Sequence, residues 1–90
     1  MYNFIKQIIN KIDNEIEKSL EEILNMYGIQ TRNFYGVKDI ELIKCQLEES
    51  GLDVVIIFDG NKRYIKVNYK VLTEVEFIPE KLELKVTKYY

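Results

Sequence analysis

Leu52-Asp53-Val54-Val55-Ile56-Ile57-Phe58-Asp59-Gly60-Asn61-Lys62-Arg63-Tyr64-Ile65-Lys66-Val67-Asn68-Tyr69-Lys70-Val71-Leu72 is the stretch that decides the fold. β-Branched and aromatic residues dominate it. Asp59-Gly60-Asn61-Lys62 interrupts them with the residues of a two-residue hairpin loop, since glycine and asparagine accept positive φ with little strain. Leu52–Phe58 is therefore expected as one strand and Arg63–Leu72 as its antiparallel partner. Downstream, Val75–Ile78 reads as a short third strand stopped by Pro79, and Leu82–Tyr90 as a fourth. Connections this short leave no room for crossovers, so three or four strands should form an antiparallel meander.

Upstream the period changes. Ile5, Ile8, Ile9, Ile12, Ile16, Leu20, Ile23, Leu24 and Tyr27 keep the i, i+3, i+4 rhythm of an amphipathic helix over residues 3–27. Gly28 follows as its C-terminal stop. A heptad reading through Ile9, Ile12, Ile16, Ser19, Ile23 and Met26 breaks at Ser19, and the stripe is wider than a coiled-coil seam. The helix is thus expected to pack on the sheet. Residues 28–38 form a connector with breakers at Gly28, Asn33 and Gly36. Residues 39–50 admit two readings: a strand paired with the one that follows, or a short second helix. The helix would start at Asp39, carry Ile40, Ile43 and Leu47 on one side, and stop at Ser50-Gly51-Leu52. Glu, Leu, Lys and Gln favour the helix. The whole is one α+β domain over residues 1–90.

Composition bounds the function. Ninety residues, 47% of them hydrophobic, suffice for one core. A single cysteine, Cys45, excludes an internal disulfide framework and fits a reducing, cytoplasmic compartment. It is expected as a buried or half-buried structural thiol. With no histidine and one thiol, no zinc site can be assembled, and neither metal nor cofactor is expected. The N-terminal apolar run is too broken for a secretory signal, and Val54–Phe58 is too short to span a bilayer, so no membrane partner is expected. The net charge of −2 divides into six basic and nine acidic side chains in residues 1–50 and seven and six in residues 51–90. Alanine, tryptophan and histidine are absent, whereas isoleucine, lysine, asparagine and tyrosine, with AT-rich codons, abound. That bias points to an AT-rich genome, such as a low-GC bacterium or a phage or other mobile element within one.

The central hairpin also sorts its side chains by face. Leu52, Val54, Ile56 and Phe58 fall opposite Ile65, Val67, Tyr69 and Val71, and this should be the core face under the long helix. The second face carries Asp53, Val55, Ile57 and Asp59 beside Lys62, Tyr64, Lys66, Asn68 and Lys70. A solvated face would not normally gather Val55, Ile57 and Tyr64. With Lys62, Lys66 and Lys70 around them, they have the apolar centre and charged rim of a binding surface for a protein with an acidic patch. Burial under the second helix, or against another copy in a homo-oligomer, would account for the same residues.

Catalytic signatures are missing. Without histidine there is no Ser-His-Asp or Cys-His arrangement, and the four glycines are isolated at element boundaries. Glu83-Leu84-Lys85 with Asp59 upstream has the acid-acid-lysine order of metal-dependent nucleases. That pattern covers three residues, and the alternation of Leu82, Leu84 and Val86 explains the segment as a plain strand. The basic hairpin 62–70 could meet nucleic acid, but it offers one aromatic, the chain is acidic, and the helix would repel phosphate. The expected function is a non-catalytic protein-binding module, a small accessory or inhibitor protein from a phage or other mobile element of an AT-rich host. A nucleic-acid binder using hairpin 62–70 and a self-associating structural protein are the alternatives.

Overall fold

A computed structural model of the chain describes residues 2–29 and 40–90, with side chains from Ile5 onward in the first helix. Helices α1 (Tyr2–Met26) and α2 (Ile40–Glu49) precede four strands: β1 (Val54–Asp59), β2 (Lys62–Val67), β3 (Lys70–Ile78) and β4 (Glu83–Lys88). The strands form one antiparallel sheet in the order β1-β2-β3-β4, the expected α+β meander. The breakers expected at Asn33 and Gly36 and the N-cap expected at Asp39 lie outside the described residues.

Both helices end by the same device. Gly28 at φ 74° lets the Ile29 N–H reach Leu24 C=O at 2.9 Å while its own N–H reaches Asn25 C=O at 3.0 Å. Gly51 at φ 89° repeats the pattern, with Leu52 N–H on Leu47 C=O at 3.2 Å and its own N–H on Glu48 C=O at 3.0 Å. These bonds satisfy carbonyls that a helix end otherwise leaves open, and they turn an apolar residue back onto the core. The stop expected at Ser50-Gly51-Leu52 is thus present, and residues 40–49 are helical.

The core lies between the helices and one face of the sheet. Ile12, Ile16, Leu20, Ile23 and Leu24 of α1 and Ile43 and Leu47 of α2 are buried with Val54, Ile65, Val67, Leu72 and Val75. Both helices therefore occupy the same side, and α2 does not lie across the second face. Burying a side chain of the Leu or Ile class contributes about 1.5–3 kcal/mol, so this cluster dominates the stability.

The expected second strand is corrected. Residues 63–72 do not run straight; the chain reverses at Asn68-Tyr69, both left-handed at φ 49° and 69°. Consecutive positive φ values are those of a type I′ hairpin turn. Asn68 is held at the turn by two bonds to Asp53: its N–H donates to Asp53 C=O at 2.8 Å, and its Oδ1 accepts from Asp53 N–H at 3.0 Å. The expected short third strand is accordingly the end of the longer β3. A bulge follows, because Ile65 pairs with Thr73 and Lys66 with Val71, leaving Leu72 as the extra residue. Leu72 and Thr73 are both buried as a result. Tyr69, expected in the core, is 86% exposed at the turn, and Val71 moves to the opposite face. Phe58 keeps the expected core-side parity opposite Arg63 but is 73% exposed, beyond the cover of the helices.

Candidate functional site

The register places Val55, Ile57, Lys62, Tyr64 and Lys66 on the face away from the helices. Asp59 pairs with Lys62, Ile57 with Tyr64, and Val55 with Lys66, so the loop is Gly60-Asn61, one of the two placements, with Asp59-Gly60, that give the expected alternation. Val55 is 45% exposed, and Ile57 and Tyr64 are half-buried by their neighbours in the sheet. Cross-strand neighbours on one face lie about 4.5–5.5 Å apart at Cβ, so these three side chains are contiguous. Two further apolar groups join them: Val71 beside Lys66, brought from its expected core face by the turn at Asn68-Tyr69, and Tyr89, which the sequence did not assign to a face. Tyr89 O–H donates to Glu74 Oε2 at 3.3 Å, and Glu74 faces Tyr64 across the β2–β3 ladder. Loss of surrounding water, and then the Glu74 charge, push the Tyr89 phenol above its ordinary range.

The expected lysine rim is rearranged. Lys62 Nζ lies 3.3 Å from Glu74 Oε1 and 3.9 Å from Glu76 Oε2, and the hydrogen bond to Glu74 raises its pKa first and most. Its charge is thus answered within the sheet. Lys70 pairs with the buried Val67, which puts it on the helix side of the sheet rather than beside Lys66. Lys66 remains, with no ion-pair partner among the described residues. The face as a whole is mixed in sign, since Glu74, Glu76 and Asp59 share it with Lys62, Lys66 and Lys85.

The nuclease-like triplet does not assemble. Asp59 is on β1, whereas Glu83 and Lys85 are on β4, so two strands intervene and Asp59 is about 14 Å from that row at ordinary strand spacing. Two carboxylates sharing one cation need oxygens within about 2–2.6 Å of it. Among the described residues no group of three acids or thiols is placed to hold a metal. Cys45 is exposed on α2, contrary to its expected burial.

On the helix side, a hollow of about 270 Å³ opens at the hairpin end of the sheet. Ile12, Ile16, Ile40 and Ile56 form its floor, with Phe58 and Arg63 at its lip. The Arg63 guanidinium carbon sits 4.7 Å from the Phe58 ring centroid, while Nη1 donates to Gly60 C=O and Lys62 C=O at 3.0 Å each. Ile5 and Ile9, at 56% and 50% exposed, extend the apolar stripe of α1 beyond what the sheet covers. That overhang was legible in the spacing, for the stripe is longer than the strands that face it.

No helix among the described residues is long and apolar enough to cross a membrane. No protein-family model, no curated protein and no solved structure matches this chain, and its own residues alone supply the grounds for a function.

Proposed function

We propose that the chain is a non-catalytic protein-binding module whose outer sheet face docks a partner protein. The supporting observation is the contiguous apolar centre of Val55, Ile57 and Tyr64 on a sheet face that neither described helix covers. An antiparallel sheet with one wet face normally alternates apolar-in and polar-out, so three such residues together on the outer side indicate a surface that is dry part of the time. Tyr64 is the anchor, because an aromatic with a polar tip buries much area at little conformational cost. Val55 and Ile57 form the floor beside it. Lys66 selects a carboxylate on the partner and steers the approach of an acidic patch, while Lys62, held between Glu74 and Glu76, shapes the rim in a trio that carries one excess negative charge. The protein acts by occupying a surface of its partner, as a small accessory or inhibitor protein working in the cytoplasm.

The test compares wild type with Tyr64→Ala and Lys66→Ala in a nuclease-treated pull-down from host lysate, followed by binding kinetics on the protein recovered. Tyr64→Ala is expected to weaken binding by about 2 kcal/mol, roughly thirtyfold, chiefly through faster dissociation. Lys66→Ala should lower the association rate and flatten its salt dependence. Equal, small effects from both variants would overturn the reading, as would a wild-type molar mass of two chains that Tyr64→Ala returns to one.

A further inference from the structure

We infer that the outer edge of β1, which no other described strand pairs, is a strand-addition site for an extended segment of another protein that carries basic residues at both ends of a short apolar stretch. The inference concerns the sheet edge rather than its outer face and stands without the reading given above. β1 is terminal in the sheet, and its sequence Val54-Val55-Ile56-Ile57-Phe58-Asp59 contains no lysine, no proline and no bulge. Those are the devices by which edge strands are ordinarily protected from pairing. The opposite edge is charged instead: β4 carries Glu83, Lys85 and Lys88, and its end is tied to α1, with Lys88 Nζ donating to Glu22 at 2.7 and 2.8 Å.

The hydrogen-bonding groups point the right way. A two-residue loop makes its flanking residues, Asp59 and Lys62, a bonded pair, so Val55, Ile57 and Asp59 exchange bonds with β2. The N–H and C=O groups of Val54, Ile56 and Phe58 then face away from the sheet, and no other backbone bond among the described residues reaches them. Exposed Phe58 on one side and Val55 on the other offer apolar surface to a strand laid along this edge.

The flanking charges decide the occupant. Asp53 and Asp59 lie at the two ends of β1, both exposed, and neither has an ion-pair partner among the described residues. A second copy pairing antiparallel about Ile56 would set Asp53 against Asp59 at both ends, and like charges directly opposite destabilise a ladder. A segment with lysine or arginine at those two positions, six residues apart, meets an acid at each end instead. Between them its side chains fall opposite Val55 and Ile57 on one face and Phe58, Ile56 and Val54 on the other.

The probe is the end-blocked heptapeptide Lys-Thr-Val-Thr-Val-Thr-Lys, compared with the same peptide carrying glutamate at both ends and titrated into the full chain. Amide NMR shifts and slowed exchange at Val54, Ile56 and Phe58 are expected with the lysine peptide, at about tenfold higher affinity than with the glutamate peptide. Asp53→Lys with Asp59→Lys should reverse that preference, and the reversal itself shows that the variant is folded. A missing lysine-peptide preference would overturn the edge site alone, and a missing Tyr64→Ala effect in the pull-down would overturn the outer face alone, so the edge and the outer face fail separately. Equal affinity for the two peptides, or shifts that avoid β1, would overturn the inference. So would wild-type dimers protected at the β1 amides, which would make a second copy the occupant.

Discussion

Asn68 and Tyr69 share a turn and the same left-handed backbone, yet substituting each by glycine should move stability in opposite directions. Tyr69 is 86% exposed and its side chain makes no hydrogen bond among the described residues that glycine would lose, and it sits at φ 69°. A left-handed conformation costs a residue with a Cβ about 1–2 kcal/mol. Glycine removes that strain and adds about 0.5–1 kcal/mol of backbone entropy lost on folding. Tyr69→Gly should therefore stabilise by about 0.5–1 kcal/mol, raising Tm by about 2–8 °C in a domain of this size. Asn68 visits φ 49° with little strain, and its Oδ1 holds Asp53 N–H at 3.0 Å. Asn68→Gly forfeits that bond, worth about 0.5–1.5 kcal/mol, along with the entropy, so a loss of about 1–2 kcal/mol follows. Urea unfolding followed by circular dichroism would resolve both, as midpoints displaced in opposite senses at unchanged slope. A Tyr69→Gly variant less stable than wild type would refute the reasoning, by showing that the ring is held by something. A neutral Asn68→Gly would refute the role given to its side chain.

Ser19 lies at 1% exposure among the α1 core residues, and its hydroxyl has no hydrogen-bond partner among the described residues. Ser19→Ala should thus stabilise by about 1 kcal/mol in thermal unfolding, whereas Leu20→Ala, at the same depth, should cost about 2–5 kcal/mol. Glu22 accepts from Lys88 at 2.7 and 2.8 Å and from Tyr90 O–H at 2.6 Å; the bond to Lys88 first, then that to Tyr90, holds its carboxyl below the ordinary 4.5. A carboxyl depressed in the folded state contributes stability that is complete above its unfolded pKa and is lost as pH falls through the folded one. Wild type should therefore melt above Glu22→Gln at pH 7, with the gap closing as pH drops below 4.5. An unchanging gap would assign the effect to packing.

Local chemistry was readable where one residue type enforces one geometry. Gly28 and Gly51 marked the helix ends, and Asp59-Gly60-Asn61-Lys62 marked the first hairpin and put Val55, Ile57 and Tyr64 on a common face whichever two residues formed its loop. The second hairpin escaped because its turn is Asn68-Tyr69, where the usual glycine is replaced by an aromatic held left-handed. Without that turn, the alternation of Val67, Tyr69 and Val71 reads as one continuous strand. Lys70 and Val71 were consequently given to the wrong faces, while the bulge at Leu72, which has no residue signature of its own, returns Thr73 and Val75 to the core side. The partners of Lys62 were illegible for the same reason. Glu74 and Glu76 reach it only through the β2–β3 register, which the missed turn sets.

The bulge at Leu72 also bears on how this chain tolerates changes of length. Elsewhere in the sheet, losing one residue would invert the faces of everything beyond it until a loop absorbed the slip. At the bulge the ladder already holds one residue too many, since Lys66 pairs with Val71 and Ile65 with Thr73. Removing Leu72 would leave a regular ladder, with the turn at Asn68-Tyr69 and the pairing of β3 with β4 both in phase. Only one core side chain, 8% exposed, would go with it. Relatives of this chain one residue shorter in the third strand are therefore compatible with the same fold, while a gap within β1 is not.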